Sequence, residues 1–487
     1  MGVVLQQSFK NTIIIIIGFA IGGINVLFLY THFLQTEYYG LTTFLLSSAN
    51  ILMPLLAFGM QHTIVKFFFS YSKKSDKDNF LITALILPLF IIIPLSFLGV
   101  LFYESIAELL SEKNIIIKKY TYLIFLISIF MGYFEIFYAW SKVQMQSVFG
   151  NFIREIFARV CVFILLWMVY FKWISNEQFI YALVGVYFFR MLIMKLYAFK
   201  IYFPKVFSFS MPSNFKEILS FSFYIILAGS AGSILLEIDK FMIPQIKNIE
   251  QVAYYSVGVY IASVVAIPSR ALQQIANPIT AKELQKNNLN EVESLYKKSS
   301  INLLIIGGFF FLLINVNINS MYLLIGKPEY LIGVYIVLLI SIAELFKLSM
   351  GTNGAILVNS KYYKILFYFS IAMALSVIFL NKILIEFLGI EGAALATLLV
   401  VLIFNSIKIL YVKRKFNMHP YTKNTQKVLA LLGFLFVVFY FVNPNINPLL
   451  SIFIKSTLLA SIFIYCIIKW KISEDINTLF YKYFKRH

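Results

Sequence analysis

Residues 12–31 read TIIIIIGFAIGGINVLFLYT, a stretch without a single charged side chain. The hydrocarbon core of a bilayer is about 30 Å thick, and an α-helix crosses it with roughly 20 apolar residues. An open sheet cannot cross lipid because its edge groups would lack hydrogen-bond partners. A barrel strand would alternate in hydrophobicity, whereas Ile13–Ile17 is a solid apolar run. The stretch therefore predicts a membrane-spanning α-helix.

Thirteen similar stretches follow along the chain. Hydrophobic residues make up 60% of the 487 residues and charged residues only 13%, compared with about 25% charged in soluble domains. The sequence therefore predicts an all-α integral membrane protein with about fourteen transmembrane helices. The predicted spans are 12–31, 39–64, 79–103, 120–141, 149–171, 178–200, 217–243, 251–275, 299–325, 330–358, 362–385, 390–412, 427–443 and 448–470.

Basic residues fall mostly into alternate gaps between the spans. With the N-terminus in the cytoplasm, thirty-one of the 41 Lys and Arg residues lie on the cytoplasmic side, nine lie on the outer side, and Lys347 lies inside a span. This bias follows the positive-inside rule and predicts that both termini are cytoplasmic. The net charge of +19 then reflects topology and contact with anionic lipids. It does not indicate nucleic-acid binding.

The chain also shows signs of an internal repeat. The connection 203–215, with its prolines and serines, follows six spans and is the best domain boundary. Glu37-Tyr38-Tyr39-Gly40 at the second span resembles Ala253-Tyr254-Tyr255-Ser256 at the eighth, and Ser141-Lys142 resembles Ser360-Lys361. Matching interrupted helices in two halves point to a transport site. We predict an N-terminal lobe in 1–203, a C-terminal lobe in 216–413, two further spans in 427–470 and a basic amphipathic cytoplasmic tail in 471–487.

Ionisable residues inside spans each need a partner, a wet cavity or access to the surface, because burial in lipid costs about 2.5–3.5 kcal/mol at mid-span. Helical spacing predicts ion pairs that could be purely structural. These pairs are Glu155–Arg159, Glu237–Lys240 and Glu344–Lys347. Arg190 and Lys195 lie towards the cytoplasmic end of the sixth span, and we expect them to extend to the surface.

Arg154 and Arg270 have no obvious partner on their own helices. A guanidinium group binds phosphate through two parallel hydrogen bonds. We therefore predict that both residues line a water-filled cavity.

The sequence lacks the common motifs of soluble enzymes. The sequence has neither a Gly-rich phosphate loop nor a Gly-x-Ser-x-Gly elbow. The four histidines are scattered, and Cys161 and Cys466 both lie within spans. We expect no enzymatic activity, no metal site and no resident cofactor.

Two blocks carry a family resemblance. Leu236–Met242 (LEIDKFM) is followed by Val252–Tyr260 (VAYYSVGVY) and by Ala276-Asn277-Pro278, and Asn381–Thr397 reads NKILIEFLGIEGAALAT. These blocks resemble Wzx-type oligosaccharide flippases for O-antigen and other polysaccharides. That family belongs to the MATE/MOP flippase superfamily, together with the lipid II flippases and the MATE multidrug exporters.

The resemblance implies a fold and a function. It implies two six-helix lobes around a central cavity, with two C-terminal helices outside them. It further implies a flippase that moves polyprenyl-diphosphate-linked oligosaccharides across the bacterial cytoplasmic membrane by alternating access, for cell-surface polysaccharide biosynthesis. The expected partners are this lipid-linked glycan, membrane lipids and a polysaccharide polymerase or assembly complex, without nucleic acid. Coupling to Na⁺ or H⁺ stays open.

The resemblance also suggests roles for individual residues. Arg154, Arg159 and Arg270 are expected to bind the diphosphate. Asp239 and Lys240 match the family's charged pair on helix seven, which could gate the pathway, couple an ion or lock the helix. Further gating or coupling candidates are Glu237, Glu344 and Lys347, and the expected helix-breaking residues are Pro54 and Pro268.

Four alternatives remain. A lipid II flippase also has fourteen helices. A MATE-type multidrug exporter typically has twelve, and its cavity favours carboxylates that bind cationic drugs. A non-transporting scaffold in an envelope complex is the third, and a polymerase or ligase is the least favoured.

Overall fold

The computed structural model describes residues 2–205, 209–442 and 446–478, which form helices and no β-strand. The chain divides into two compact units, Met1–Ser256 and Val257–His487. The division into lobes of six spans each stays a prediction.

In the N-terminal unit, α8 (Ile116–Val143) is the central helix and packs against α3 (Thr36–Leu56), α4 (Met60–Phe67) and α11 (Asn176–Ile201). Several of its large side chains, among them Phe134 and Trp140, are fully buried. In lipid such burial is driven by van der Waals packing and interhelical hydrogen bonds, since lipid tails are as apolar as the side chains. The helices are α1 (Gly2–Ile24), α2 (Tyr30–Phe33), α3 (Thr36–Leu56), α4 (Met60–Phe67), α5 (Lys74–Ile86), α6 (Leu89–Leu101), α7 (Tyr103–Ser111), α8 (Ile116–Val143), α9 (Ser147–Phe152), α10 (Ala158–Tyr170), α11 (Asn176–Ile201) and α12 (Phe215–Ile246).

Two π-helical segments join helices of this unit. Asn25–Leu29 lies between α1 and α2, and Ile153–Phe157 lies between α9 and α10. The segment Asn25–Leu29 packs on α10, and Ile153–Phe157 packs on α1. The first and fifth predicted spans are therefore in contact near both segments.

In the C-terminal unit, the longest helix is α15, whose 37 residues extend about 55 Å. It is thus longer than the hydrocarbon core is thick, and it packs against α14, α16, α20 and α21. Helix α13 (Glu250–Ser263) crosses the boundary between the units. The following helices are α14 (Ile267–Gln285), α15 (Leu289–Ile325), α16 (Val334–Ser349), α17 (Asn353–Val358), α18 (Lys364–Leu388), α19 (Ile390–Phe416), α20 (Lys423–Tyr440) and α21 (Pro448–Lys469).

Among the described residues, 12 helices are long and apolar enough to cross a membrane. The chain is therefore a multi-pass membrane protein by its helix lengths and composition. Two of the predicted spans are not among these helices. The span 149–171 is helical but contains the π-helical segment and three charged residues, and the span 427–443 lies in α20, which begins with a polar turn. The number fourteen is not confirmed.

Two predicted spans are interrupted by left-handed backbone. Helix α3 ends at Leu56, and Phe58 and Gly59 have φ angles of 53° and 64° before α4 begins. Glycine takes this conformation at low steric cost, so Gly59 explains where the helix stops. The tenth predicted span is interrupted between α16 and α17, where Gly351 has a φ of 53°.

The two prolines predicted to break helices lie near irregular backbone. Pro54 lies inside α3, two residues before its last residue. Pro268 lies in the first turn of α14, directly after a 3₁₀ turn at Val264–Ala266. Their role in bending during transport stays a prediction.

Candidate cationic cavity in the N-terminal unit

The π-helical segment Ile153–Phe157 determines where the charges of the fifth span point. It contains Arg154 and Glu155, and Arg159 follows in α10. In a regular α-helix with 3.6 residues per turn, side chains five positions apart point about 140° away from each other. A π-helical turn hydrogen-bonds from i to i+5 and so brings such side chains close to one face. Arg154 and Arg159 therefore line the same cavity.

This cavity has a volume of about 290 Å³ and lies among α3, α8, α11 and the fifth span. It lies at the lower limit of typical ligand pockets, which start at about 300 Å³. It is therefore large enough for a phosphate-containing group but not for a whole oligosaccharide. Its polar lining consists of Asn50, Glu135, Arg154, Glu155, Arg159, Tyr187 and Arg190.

Glu135 and Glu155 form the ion pairs of the two arginines in the fifth span. Arg154 Nε lies 3.6 Å from Oε1 of Glu135 on α8 and 3.8 Å from Oε1 of Glu155. Both distances exceed those of normal N–H···O hydrogen bonds. Arg159 is held more closely, since its Nη1 lies 3.1 Å from Oε2 of Glu155 and donates to the carbonyl oxygen of Glu155 at 2.8 Å. Arg154 is thus the more loosely held cation.

Arg190 differs from both. Its guanidinium carbon lies 4.0 Å from the ring centroid of Phe134 and 5.6 Å from that of Tyr187. Its Nε is buried without a hydrogen-bond partner. No carboxylate lies within 4 Å of Arg190 among the described residues. Three guanidinium groups therefore face two carboxylates, and the cavity has a formal surplus of one positive charge.

The first predicted span packs against the fifth predicted span and fixes its position. Asn25, buried and at the start of the first π-helical segment, donates from Nδ2 to the carbonyl oxygen of Arg159 at 2.8 Å. Gly18 lies so close that a Cβ there would be 2.6 Å from both Arg159 Nη1 and the carbonyl oxygen of Glu155. Small residues allow such close backbone approach in membranes. Residues of the first predicted span, on α1 and in the π-helical segment after it, therefore set the position of Arg159.

The ion pairs predicted from helical spacing are all present. Besides Glu155–Arg159, the Nζ of Lys240 lies 2.8 Å from Oε2 of Glu237 on α12, and the Nζ of Lys347 lies 2.7 Å from Oε1 of Glu344 on α16. The roles predicted for these residues in gating or ion coupling stay predictions.

Asp239, also a gating candidate, is buried on α12 and accepts a hydrogen bond from the hydroxyl group of Tyr255 on α13. This contact joins the charged block of helix seven to the Tyr-Tyr motif at the start of the eighth span. The contact has a structural effect, because it ties two successive helices together.

Arg270 lies on α14, but its side chain is outside the described residues. Its predicted part in the cavity therefore stays a prediction. Most of the basic tail, from residue 479 onwards, is outside them as well.

Sequence reasoning misjudged the position of Arg190. It lies fourteen residues from the start of α11 and eleven from its end, which is about 21 Å and 16 Å along the axis. Such a central position is too deep for its charge to reach the surface. Counting residues from both ends of the span gives this depth without a structure. Glu135 lies inside the fourth predicted span, and its pairing with Arg154 on another helix could not be foreseen from the sequence.

Among the described residues, no group of three or more His, Cys, Asp or Glu side chains could hold a metal ion.

Solved structures share this fold. The chain is similar to the lipid II flippase MurJ in an inward closed conformation, with a TM-score of 0.69 and 16% identity over 99% of both chains. It is also similar to an inward-facing multidrug resistance MATE family transporter of the MOP superfamily, with a TM-score of 0.62 and 12% identity over 84% of this chain and 94% of that chain. A MOP superfamily transporter from Pyrococcus furiosus, described as having a binding pocket of reverse polarity, gives a TM-score of 0.58 and 11% identity over 84% and 95%. At these identities the likeness establishes the fold.

No curated protein sequence matches the chain. Residues 4–280, more than half of the chain, match the family model of polysaccharide biosynthesis proteins. The chain therefore belongs to the polysaccharide biosynthesis protein family, and it has the fold of MurJ and of the MATE transporters.

Proposed function

We propose that this protein is a flippase for polyprenyl-diphosphate-linked oligosaccharides. It moves the lipid-linked unit from the cytoplasmic to the outer leaflet of the bacterial cytoplasmic membrane by alternating access, and it performs no bond-making step. The family match and the MurJ-like fold support this proposal. The transported unit serves cell-surface polysaccharide biosynthesis, in the manner of Wzx-type flippases.

The single observation that carries the proposal is the uncompensated charge of Arg190 in a membrane-embedded cavity. A diphosphate cannot enter hydrocarbon without replacing its hydration, and charge-assisted hydrogen bonds from guanidinium groups provide that replacement. A cavity with three arginines and two carboxylates attracts an anion. It is less suited to a cationic drug, which argues against a multidrug exporter.

The remaining roles follow from this assignment. Arg154 and Arg159 bind the diphosphate, and Arg270 contributes to the same task. The polyprenyl tail stays in lipid beside the last two spans. Both termini lie in the cytoplasm, and the partners of the protein include a polysaccharide polymerase or assembly complex. Gating and coupling to Na⁺ or H⁺ involve Glu237, Asp239, Lys240, Glu344 and Lys347, and bending involves Pro54 and Pro268.

A lipid II flippase is the second candidate. The likeness to MurJ over 99% of both chains favours it, and lipid II also has a diphosphate. The two candidates differ in the glycan that is transported. In both, the arginines would bind a diphosphate.

The test has two parts. Deletion of the gene should cause a lipid-linked oligosaccharide to accumulate on the cytoplasmic leaflet, and mass spectrometry of extracted lipids identifies its glycan. Accumulation of lipid II with loss of viability would favour the second candidate. Purified protein in liposomes should translocate the identified lipid, and Arg270→Ala should abolish translocation while the protein remains in the membrane. Failure of the unaltered protein to move any diphosphate-linked glycan would contradict the proposal.

A further inference from the structure

Glu135 occupies an unusual position in the cavity. It lies on α8, the central helix of the N-terminal unit, and its side chain is only 15% exposed. Its single ion pair among the described residues is with Arg154, at 3.6 Å. Arg154 itself is 45% exposed. An acidic side chain therefore lies deep in a site whose surplus charge is positive.

The second carboxylate, Glu155, has a different environment. It lies four residues before its partner Arg159 in the same predicted span, and Arg159 also donates to its carbonyl oxygen. Glu155 thus has a local structural reason to be present, as intrahelical pairs make a charged helix tolerable to lipid. Glu135 has no partner on its own helix within 4 Å among the described residues. The carboxylate of Glu135 therefore changes the charge of the cavity and does not stabilise α8 through an ion pair.

The charge balance of the cavity shows how Glu135 affects the binding of an anionic ligand. A diphosphate diester has two negative charges, whereas three guanidinium groups and two carboxylates leave a surplus of one positive charge. Without the charge of Glu135 the surplus would be two and would match the ligand. Glu135 also acts electrostatically on Arg190, on Lys142 at the end of α8, and on His62 of α4. It therefore also lowers the attraction that Arg190 and Lys142 exert on an anion.

We propose that Glu135 is an internal counter-ion that competes with the diphosphate for Arg154 and thereby sets how tightly the headgroup is held. This inference rests on the proposed function and assigns Glu135 as the residue that promotes release. The long ion pair between Glu135 and Arg154 is easily replaced by shorter, bidentate contacts with phosphate. After the headgroup leaves, Glu135 pairs with Arg154 again.

A transporter needs such a residue because binding must be weak enough for the cargo to leave. Three arginines without an opposing carboxylate would hold a dianion tightly in a low-dielectric site. Removing the charge of Glu135 should therefore tighten binding and slow turnover at the same time. A purely structural role for Glu135 would instead weaken binding and turnover together.

The experiment compares the full-length protein with Glu135→Gln in lipid nanodiscs. The probe is a synthetic farnesyl-diphosphate-linked N-acetylglucosamine, and its affinity is measured by titration calorimetry. We expect Glu135→Gln to bind about tenfold more tightly. In liposomes, its KM for the probe should fall, and its maximal rate should fall as well. Arg154→Ala should weaken binding, and a second change at Glu135 should then tighten binding less than it does in the unaltered protein, because only its longer-range effect on the other cations remains.

A matched control is Glu108→Gln. Glu108 lies on α7, is exposed and pairs with Lys118 at 3.3 Å, so the same charge change occurs away from the cavity. Its affinity and rate should equal those of the unaltered protein. If Glu135→Gln does not fold, Glu135→Ala serves the same test, because it also removes the charge.

Equal or weaker binding by a folded Glu135 variant would overturn this inference, provided that the unaltered protein binds and translocates the probe. If the unaltered protein does neither, the proposed function itself fails. The two failures are therefore separable.

Discussion

At the residue scale, three arginine side chains line one cavity but have different surroundings. Arg159 is fixed by Glu155 at 3.1 Å, and Arg154 is shared between two carboxylates at longer distances. Arg190 stacks on Phe134 and has no carboxylate within 4 Å among the described residues. A cation in lipid without an acidic partner is a functional-site hypothesis by default. Arg190 therefore adds to the cavity a positive charge that no carboxylate within 4 Å offsets among the described residues.

We predict that Arg190→Ala lowers the rate of glycolipid translocation at least tenfold. The reason is that hydrogen bonds to a charged group contribute about 1.5–3 kcal/mol, and about 1.4 kcal/mol corresponds to a factor of ten. Arg190→Lys should keep part of the rate, because it keeps the charge but not the bidentate geometry. Initial rates in liposomes measure both variants.

The control for this prediction is Lys200→Ala, which removes an exposed cation near the end of the same helix. It should behave as the unaltered protein does. Normal translocation by Arg190→Ala would show that the uncompensated charge has no part in transport.

At the scale of elements, the fifth span depends on α1. The π-helical segment Ile153–Phe157 brings Arg154 and Arg159 to one side, and π-bulges are frequent at functional sites. The carbonyl oxygen of Arg159 accepts a hydrogen bond from Asn25. Gly18 lets α1 approach closely enough for this contact. The geometry of the cavity therefore depends on both the first and the fifth predicted span.

We predict that Gly18→Ala destabilises the protein, because the new Cβ would lie 2.6 Å from a backbone oxygen that cannot move without shifting the helix. Overpacking of this kind costs about 1–3 kcal/mol. Thermal unfolding of the purified protein in detergent should show a lower melting temperature.

Gly185→Ala on α11 is the matched control, since nothing lies within 4 Å of its added Cβ. It should unfold at the same temperature as the unaltered protein or slightly above it, because Ala favours a helix over Gly. Equal melting temperatures for both variants would mean that α1 does not pack tightly on the fifth span.

At the scale of the whole molecule, the distribution of basic residues determines orientation. We predict that a cysteine at Ser72, between α4 and α5, is labelled by a membrane-impermeant maleimide only after the membrane is opened. A cysteine at Glu112, after α7, should be labelled in intact spheroplasts. Both positions are exposed. The measurement uses a chain in which Cys161 and Cys466 are replaced by Ala, and the reverse labelling pattern would show that the orientation is inverted.

The amino-acid sequence by itself determined that this is an all-α membrane protein, since the length of an apolar run and the pairing of its backbone groups depend on local sequence. It also predicted the ion pairs at Glu155–Arg159, Glu237–Lys240 and Glu344–Lys347, because helical spacing is a local property. It could not predict the contact of Glu135 with Arg154, since the two residues lie on different helices. Nor could it predict the π-helical segment that turns Arg154 towards the cavity. Only the tertiary structure decided which charges face each other, because helix packing in lipid depends on shape complementarity along the whole length of each helix.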